Sequence, residues 1–297
     1  MELLLTNAHA GNHDNPRVAT RLGGERPARA ALALLMSLPG TPTVYNGEEL
    51  AMSNVALRDD QVRDPAALRQ PRELWPVVGR DPERTPVQWN SSRAAGFLPL
   101  NAPSEATPWL PLAPDATTNN VASQENNATS TLTLFRVLTT LRRGEPALRG
   151  APLVPLDWDG SADVPDGVMA FARPLRCACG NVTQAAVLGS SNDYAQAPAP
   201  TPTPASPPPP PIPRFNATSF IFVLNMGATP ASVNIAAAMG RAGLGADGWA
   251  SALTLAVDSD TVATHRGVRM DSTAVLVQPW QALILSLRLD PHANSTT

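Results

Sequence analysis

A histidine next to an aspartate, His13 and Asp14, is the residue pair near the start of the chain that is best suited to chemistry. The pair stands in Gly11-Asn12-His13-Asp14, after a short apolar run at residues 3–5 and before Pro16. In α/β barrels the functional groups lie at the carboxyl ends of the strands, which is where this pattern would place them. A carboxylate and an imidazole in that position could hold the hydroxyl groups of a substrate. An ordinary surface loop could carry the same two residues, so the pair alone leaves both interpretations open.

Two further groups of polar residues could take part in the same chemistry. Arg84 lies in the polar stretch at residues 79–90, and its planar guanidinium offers a fixed fork of donors that suits two neighbouring hydroxyls or a carboxylate. Glu48 and Glu49 end a short apolar segment and could be an acid/base pair or supports of the loop. A solvated or salt-bridged loop arginine is the structural alternative for Arg84.

Hydrophobic periodicity predicts the elements that would position these groups. Residues 26–38 are predicted to form a helix with Pro27 in its first turn and apolar residues on one face. The β-branched segment Thr41–Tyr45 is predicted to be a buried parallel strand, which makes a βαβ unit with the apolar run at the start. A second helix is predicted over Thr131–Arg143. Residues 53–130 between them lack periodicity and have the length of a functional loop.

From residue 151 onward the pattern changes to short alternating runs separated by turns. Such runs, with no helices between them, predict an antiparallel β-sandwich. The proline-dense segment at residues 197–213 is interpreted as an inserted loop of polyproline type, with a proline-recognising partner as the alternative. The predicted strands are Leu153–Leu156, Val168–Arg173, Ala185–Leu188, Ser219–Leu224, Ser232–Ile235, Ala252–Val257, Thr273–Val277 and Ala282–Leu287.

The totals narrow the classes of function. With 22 basic and 25 acidic side chains the net charge is −3, which argues against a nucleic-acid surface. No apolar run approaches the roughly 20 residues of a membrane-spanning helix. Cys177 and Cys179 are too close for an easy disulfide and too few for a zinc site. Asn-X-Ser/Thr sequons favour an extracellular or lumenal glycoprotein; they begin at Asn90, Asn127, Asn181, Asn216 and Asn294.

Four blocks of sequence together resemble the α-amylase superfamily (glycoside hydrolase family 13). Their residues are most similar to those of α-glucosidases of the maltase kind. The similarity is dense over residues 11–150. The blocks are Gly11-Asn12-His13-Asp14, Leu38-Pro39-Gly40-Thr41-Pro42-Thr43-Val44-Tyr45-Asn46-Gly47-Glu48-Glu49, Arg80-Asp81-Pro82-Glu83-Arg84-Thr85-Pro86-Val87-Gln88-Trp89 and Pro108-Trp109-Leu110-Pro111-Leu112.

The resemblance implies a fold class of α/β plus all-β. Residues 1–150 would be the C-terminal remnant of a (β/α)₈ TIM barrel, with strands seven and eight, the long substrate loop and the last helix. Residues 151–290 would be the β-sandwich domain that follows the barrel in this family. The alternation of patterns along the chain agrees with this division.

The resemblance also implies roles for individual residues. Asp14 would be the carboxylate that grips sugar hydroxyls and stabilises the transition state, while His13 and Arg84 would bind the substrate. Glu48 and Glu49 would be supporting residues, and Arg17 is expected to pair with a nearby carboxylate. The implied substrate is an α-glucoside or malto-oligosaccharide, and no cofactor or metal is expected.

One departure from the family pattern decides the functional expectation. Retaining glycosidases need two carboxyls about 5 Å apart, a nucleophile and an acid/base. The family places these on an Asp after the fourth strand, in a Gly-x-Arg-x-Asp motif, and on a Glu after the fifth. Both lie upstream of the His-Asp block, and neither has a counterpart in this sequence. The expectation is a fragment of a retaining α-1,4-glucosidase that is inactive alone, so whether this chain is itself an enzyme stays open.

Two alternatives from other classes remain. A non-catalytic relative, such as the ectodomain of an amino-acid-transporter heavy chain, has a similar C-terminal domain. The sandwich could also act alone as a carbohydrate-binding module, although the chain is only 5% aromatic. The intact His-Asp and Arg-Thr-Pro-x-Gln-Trp blocks favour the enzyme lineage.

Overall fold

The computed structural model describes residues 7–156, 167–174, 218–242, 244, 253–262 and 268–288. It opens with two parallel strands, β1 (Asn7–His9) and β2 (Thr41–Thr43), in which Asn7 pairs with Thr41 and His9 with Thr43. The helices α1 (Val18–Leu22) and α2 (Glu25–Ser37) connect them. The predicted helix is therefore confirmed, and so is a parallel strand-helix-strand order. The first strand is Asn7–His9, because the apolar run at residues 3–5 lies outside the described residues, and the second strand is shorter than expected.

Residues 44–130 contain only short elements, as the missing periodicity predicts. The α-helical turns are α3 (Pro65–Leu68), α4 (Trp75–Val78) and α5 (Val121–Glu125). The 3₁₀ turns cover Glu48–Leu50, Asp59–Gln61, Arg72–Leu74, Asp81–Glu83 and Arg93–Gly96.

The second predicted helix is confirmed as α6 (Thr131–Gly144). Ser130 caps it, since its side-chain oxygen accepts a hydrogen bond from the backbone N–H of Thr133 at 3.1 Å. Leu134 and Leu138 are almost fully buried on its inner face. A further helix that periodicity did not predict, α7 (Pro146–Gly150), follows at once and begins with a proline in its first turn.

The C-terminal strands form an antiparallel sheet of five strands. They are β3 (Val154–Pro155), β4 (Val168–Arg173), β5 (Thr218–Asn225), β7 (Leu253–Asp258) and β9 (Ala282–Arg288). Their order in the sheet is β3-β4-β5-β9-β7. The central strand β5 pairs with β4 and β9, with Arg173 opposite Phe220 and Leu224 opposite Ala282.

A two-stranded antiparallel sheet, β6 (Ala231–Val233) with β8 (Val275–Val277), accompanies the larger one. The expectation that no helix separates the strands is wrong. Helix α8 (Ile235–Arg241) begins where the predicted strand Ser232–Ile235 was to continue, because Asn234 caps it by accepting from the N–H of Ala237. The predicted strand Ala185–Leu188, the two cysteines and the proline-rich segment lie outside the described residues.

Both faces of the five-stranded sheet are covered. One face packs Phe171, Phe222 and Ile284 against α2, α6 and α7, and the rings of Phe171 and Phe222 stack at 4.9 Å. The other face packs Ile221 and Leu285 against α8 and the β6-β8 pair. The residues before and after position 150 thus share a continuous core.

Three buried arginines join α2 to α6, to β4 and to the segment after β7 through backbone carbonyls. Arg142 donates to the carbonyls of Met36 and Leu38 at the end of α2, at 2.7 and 2.8 Å. Arg173 in β4 donates to Ser37 at 2.5 Å, and burial, followed by the neighbouring Arg142 charge, lowers the pKa of Arg173 to about 10. Arg29 donates to the carbonyl of Ser259 after β7. Cations at a helix carboxyl end are favourable, so α2 is held at both ends.

Candidate functional site

Asp14 lies in the turn that follows β1, at the carboxyl end of that strand. The turn is shaped by Asn12, whose side-chain oxygen accepts hydrogen bonds from the backbone N–H of Asp14 and the side chain of Asn15, both at 2.9 Å. An asparagine that bonds two residues ahead stabilises such a turn without a regular element. The carboxylate of Asp14 remains 47% exposed and faces the loop at residues 80–84.

Arg84 and Arg80 both bind the Asp14 carboxylate. Nη2 of Arg84 lies 2.8 Å and Nη1 of Arg80 lies 2.9 Å from the same oxygen, Oδ1. Arg84 also donates from Nε to the backbone carbonyl of His13 at 2.7 Å. The imidazole Nε2 of His13 lies 3.3 Å from the second oxygen, Oδ2. The three predicted site residues, His13, Asp14 and Arg84, are therefore in direct contact although 70 positions separate the last two.

These contacts keep the aspartate ionised. The hydrogen bond from Arg80 is the main cause that holds the pKa of the Asp14 carboxyl below its ordinary value. Electrostatic interactions with His13 and Arg80 and the bond from Arg84 act in the same direction, against partial desolvation. The two carboxylates that Arg80 contacts raise the pKa of its guanidinium. Asp14 is thus an acceptor-only group, as required to hold hydroxyl donors.

Arg80 is itself fixed by Asp64, which is a residue that the sequence patterns did not single out. Oδ2 of Asp64 accepts from Nε of Arg80 at 2.8 Å and from its backbone N–H at 2.9 Å, while Oδ1 accepts from Nη2 at 2.9 Å. The Asp64 side chain is fully buried. The hydrogen bonds from Arg80 lower the pKa of the Asp64 carboxyl strongly. Asp64 therefore serves to anchor Arg80 and offers no free oxygen to a substrate.

A second buried carboxylate fixes the same loop. Asp81 is 5% exposed, and its Oδ2 accepts from the backbone N–H groups of Arg63 and Asp64 at 2.6 and 2.7 Å. Asp64 in turn caps α3 by accepting from the N–H of Ala66 at 3.0 Å. A recognisable signal existed in the sequence, because Asp64-Pro65 is a typical helix start.

The prediction that Arg17 pairs with a carboxylate is wrong for the described residues. Its guanidinium is 2% exposed, donates to the carbonyl of Asn46 at 2.9 Å, and lies 5.1 Å above the ring of Tyr45. Among the ion pairs within 4 Å that the described ranges contain, none includes Arg17. The cation–π contact replaces the expected salt bridge. Burial lowers the pKa of Arg17.

Glu48 and Glu49 shape the loop after β2. Oε2 of Glu48 accepts from the backbone N–H of Tyr45 at 3.1 Å, and Oε2 of Glu49 accepts from that of Gly47 at 2.8 Å. Glu48 is 9% exposed, and burial raises the pKa of its carboxyl. Both glutamates therefore bond backbone groups of their own loop, which is the arrangement expected of supporting residues.

An exposed tryptophan side chain is bonded to the backbone of Arg84. Trp109 is 55% exposed, donates from Nε1 to the carbonyl of Arg84 at 3.1 Å, and meets the ring of Phe97 edge-on at 4.9 Å. The contact links a fourth block of the sequence to the segment of Arg84.

Within the described ranges, no three His, Cys, Asp or Glu side chains are grouped so that they could hold a metal ion. Among the helices of that same part of the chain, none is long and apolar enough to cross a membrane.

Comparison with known proteins shows what the chain is similar to. The family described as "Alpha amylase, catalytic domain" matches residues 2–151. Maltase A1 of Drosophila melanogaster is 40% identical over 143 residues, which are 48% of this chain and 24% of that protein. An α-glucosidase of Apis mellifera is 30% identical over 183 residues, 62% of this chain and 30% of that protein. The matched part of this chain thus spans about a quarter to a third of these relatives.

Solved structures share the fold over nearly the whole chain. An isomaltulose synthase from Protaminobacter rubrum matches with a TM-score of 0.64 at 22% identity, covering 95% of this chain and 43% of that one. A trehalose-6-phosphate hydrolase from Bacillus licheniformis matches with a TM-score of 0.62 at 20% identity, covering 94% and 42%. The match of the catalytic-domain family to half of the sequence, with its relatives and its fold, shows that this chain belongs to the alpha-amylase family.

Proposed function

We propose that this chain carries the hydroxyl-binding side of a retaining α-glucosidase site of the maltase kind, for α-1,4-linked glucosides or malto-oligosaccharides. The observation that carries the proposal is the direct contact of Asp14 with Arg84 at 2.8 Å, with His13 alongside. Relatives named maltase and α-glucosidase support it.

In this proposal Asp14 accepts hydrogen bonds from two sugar hydroxyls. Such bonds strengthen as the ring flattens toward the oxocarbenium geometry, so they stabilise the transition state more than the ground state. Arg84 orients the carboxylate and, with His13, contacts hydroxyls of the same sugar. Arg80 keeps Asp14 ionised through its hydrogen bond.

The proposed place of these residues in the fold follows from family membership. We take β1 and β2 as the seventh and eighth strands of a (β/α)₈ barrel, residues 53–130 as its substrate loop and α6 as its last helix. Residues from 151 to about 290 would then be the C-terminal β-sandwich domain. The parallel pairing of β1 with β2 and the antiparallel sheet after residue 151 support this assignment.

The two carboxyls that cut the bond have no counterpart in this sequence, so we propose that the 297-residue chain by itself does not hydrolyse glucosides. Asp64 cannot replace them, because its side chain is fully buried and its oxygens are taken by Arg80 and Ala66. A non-catalytic relative such as a transporter heavy chain is the other candidate. The mutual contact of Asp14, His13 and Arg84 favours the enzyme lineage over a non-catalytic relative.

Two experiments test the proposal. Maltose is titrated into the labelled chain while the amide and side-chain NMR signals of residues 12–15 and 84 are followed. We expect shifts confined to this cluster, lost in Asp14→Ala and retained in Asp60→Asn, which changes an exposed aspartate paired with Arg58. Shifts that survive Asp14→Ala would refute the sugar-binding role.

The second experiment is a glucose-release assay with maltose and the chain alone. We expect no release, and release that Asp14→Ala abolishes would refute the proposed inactivity.

The sequons further support the proposal that the protein is extracellular or lumenal. Fractionation of the producing cells tests the location: recovery of the chain only in the cytosolic fraction would contradict it.

A further inference from the structure

We propose that Asn127 carries an N-linked glycan in the folded protein and that Asn90 does not. Both asparagines begin Asn-X-Ser/Thr sequons, Asn127-Ala128-Thr129 and Asn90-Ser91-Ser92, and both lie within the described residues. The inference rests on the extracellular or lumenal location proposed above. It is independent of the sugar-binding role of Asp14.

The backbone of Asn127 is fixed while its side-chain nitrogen is free. The residue lies between α5 and α6, where its N–H donates to the carbonyl of Gln124 and its carbonyl accepts from the N–H of Ser130, both at 3.1 Å. Its side-chain oxygen accepts from the backbone N–H and the hydroxyl of Thr129, both at 3.0 Å. The Nδ2 atom makes no hydrogen bond within the described part of the chain. Both Asn127 and Thr129 are exposed.

Space for a glycan lies next to this asparagine. An open recess of about 780 Å³ is lined by Asn127 and Thr129 together with polar side chains such as Asp115, Asn119 and Arg26. Hydroxyl-rich sugar residues could bond such a lining without opening any part of the core. The cap of α6 does not use the Nδ2 atom, since it is made by Ser130.

Asn90 makes the same kind of side-chain turn as Asn127, but a glycine packs against its amide. Its side chain is packed against Gly96, so that a Cβ at that glycine would lie 2.5 Å from Nδ2 and 2.9 Å from Oδ1 of Asn90. Oδ1 also accepts from the N–H of Ser92 at 2.9 Å, and the N–H of Asn90 donates to the carbonyl of Ala95 at 3.2 Å. A sugar on this nitrogen would have to displace Gly96, whose φ of +70° closes the turn. The close packing of Gly96 against this side chain therefore disfavours a glycan at Asn90 in the folded protein.

The modification itself is a transfer from a lipid-pyrophosphate-linked oligosaccharide. The Nδ2 atom of Asn127 forms a bond to the anomeric carbon of the first sugar, the bond between that carbon and the pyrophosphate oxygen breaks, and Nδ2 loses one proton. The lipid pyrophosphate leaves with the electron pair. The transfer involves no change of oxidation state, so it needs no oxidant or reductant.

The test is site-specific mass spectrometry of the full chain, secreted from insect cells behind a cleavable signal peptide. Enzymatic deglycosylation in ¹⁸O-water marks each formerly glycosylated asparagine. Trypsin separates the two sites, since Asn90 falls in Thr85–Arg93 and Asn127 in Ala94–Arg136. We expect the label at Asn127 in most secreted molecules and its absence from Asn90.

A matched pair of variants keeps the proposal falsifiable. Thr129→Ser retains both the sequon and the hydroxyl, so the label should persist, whereas Thr129→Ala should abolish it. An unlabelled Asn127 in the secreted, folded chain would overturn the proposal, as would a label at Asn90. The added signal peptide sends the chain into the secretory pathway whatever its native location is. Either result therefore does not depend on whether the proposed extracellular or lumenal location is correct. It is also separate from the outcome of the maltose titration.

Discussion

Asp64→Asn should destabilise the protein and loosen the candidate site at the same time. Four hydrogen bonds reach this carboxylate, two from the Arg80 side chain and two from backbone N–H groups. An asparagine keeps one acceptor oxygen and hence about two of them, and it loses the charge. Bonds to charged groups contribute about 1.5–3 kcal/mol each, and Arg80 is 35% exposed and partly screened. We therefore expect the free energy of unfolding to fall by about 2–4 kcal/mol.

Urea denaturation of Asp64→Asn measures this loss, and Asp60→Asn is the matched control. Asp60 pairs with Arg58 at 3.1 Å, but both side chains are about 70% exposed, so its substitution should change little. Because the folded-state pKa of Asp64 is lowered, its stabilisation is complete above the unfolded value of about 3.9 and is lost as the pH falls through the folded pKa. The difference between wild type and variant should therefore narrow below about pH 4. Equal stability of Asp64→Asn and Asp60→Asn at neutral pH would refute the reasoning.

Three further predictions concern the elements that carry the site. Gly11→Ala should cost about 1–3 kcal/mol by urea denaturation, because the new Cβ would overlap the Glu48 carboxylate and press on Val18, and unchanged stability would contradict this. Glu48→Gln should stabilise the protein at pH 7 but not below the unfolded glutamate pKa of about 4.3. The reason is that the raised folded-state pKa of Glu48 gives the wild type stability that is lost as the pH rises and the buried carboxyl ionises. Thermal melts of both proteins across that pH range would show the difference, and equal melting temperatures at pH 7 would contradict it. Phe222→Ala should lower the free energy of unfolding by about 3–5 kcal/mol, because Phe171 and α2 lose their packing partner. Calorimetry measures this loss, and a value below about 1 kcal/mol would exclude a core shared by the helices and the sheet.

Periodic segments could be predicted well from the sequence. The helices α2 and α6 carry apolar residues at helical spacing, and burial in the core follows that spacing. Helix α8 was missed because Ser232–Ile235 alternates like a strand, although Asn234 before an alanine-rich run is a typical helix start. There the local capping interaction outweighed a two-residue periodicity that was too short to decide.

The contact of Asp14 with Arg84 was implied by resemblance alone, since no spacing rule relates positions 70 residues apart. The partner of Arg17 could not be predicted, because its contacts with the Tyr45 ring and the Asn46 carbonyl depend on how a loop about 30 positions away packs against it. Asp64 and Arg80 lie in a segment without periodicity. Their pairing depends on how that segment folds back on itself, which composition does not specify.

The position of Arg80 between two carboxylates explains why the loop at residues 63–84 belongs to the site. A guanidinium held only by an exposed aspartate would lose side-chain entropy for little gain. Here Asp64, buried and capping α3, fixes one edge of the guanidinium, so that Nη1 is already directed at Asp14. Most of the entropy cost of ordering Arg80 is then met by folding of the loop rather than by binding of a ligand. Arg80 should consequently matter more to the orientation and ionisation of Asp14 than its own exposure suggests.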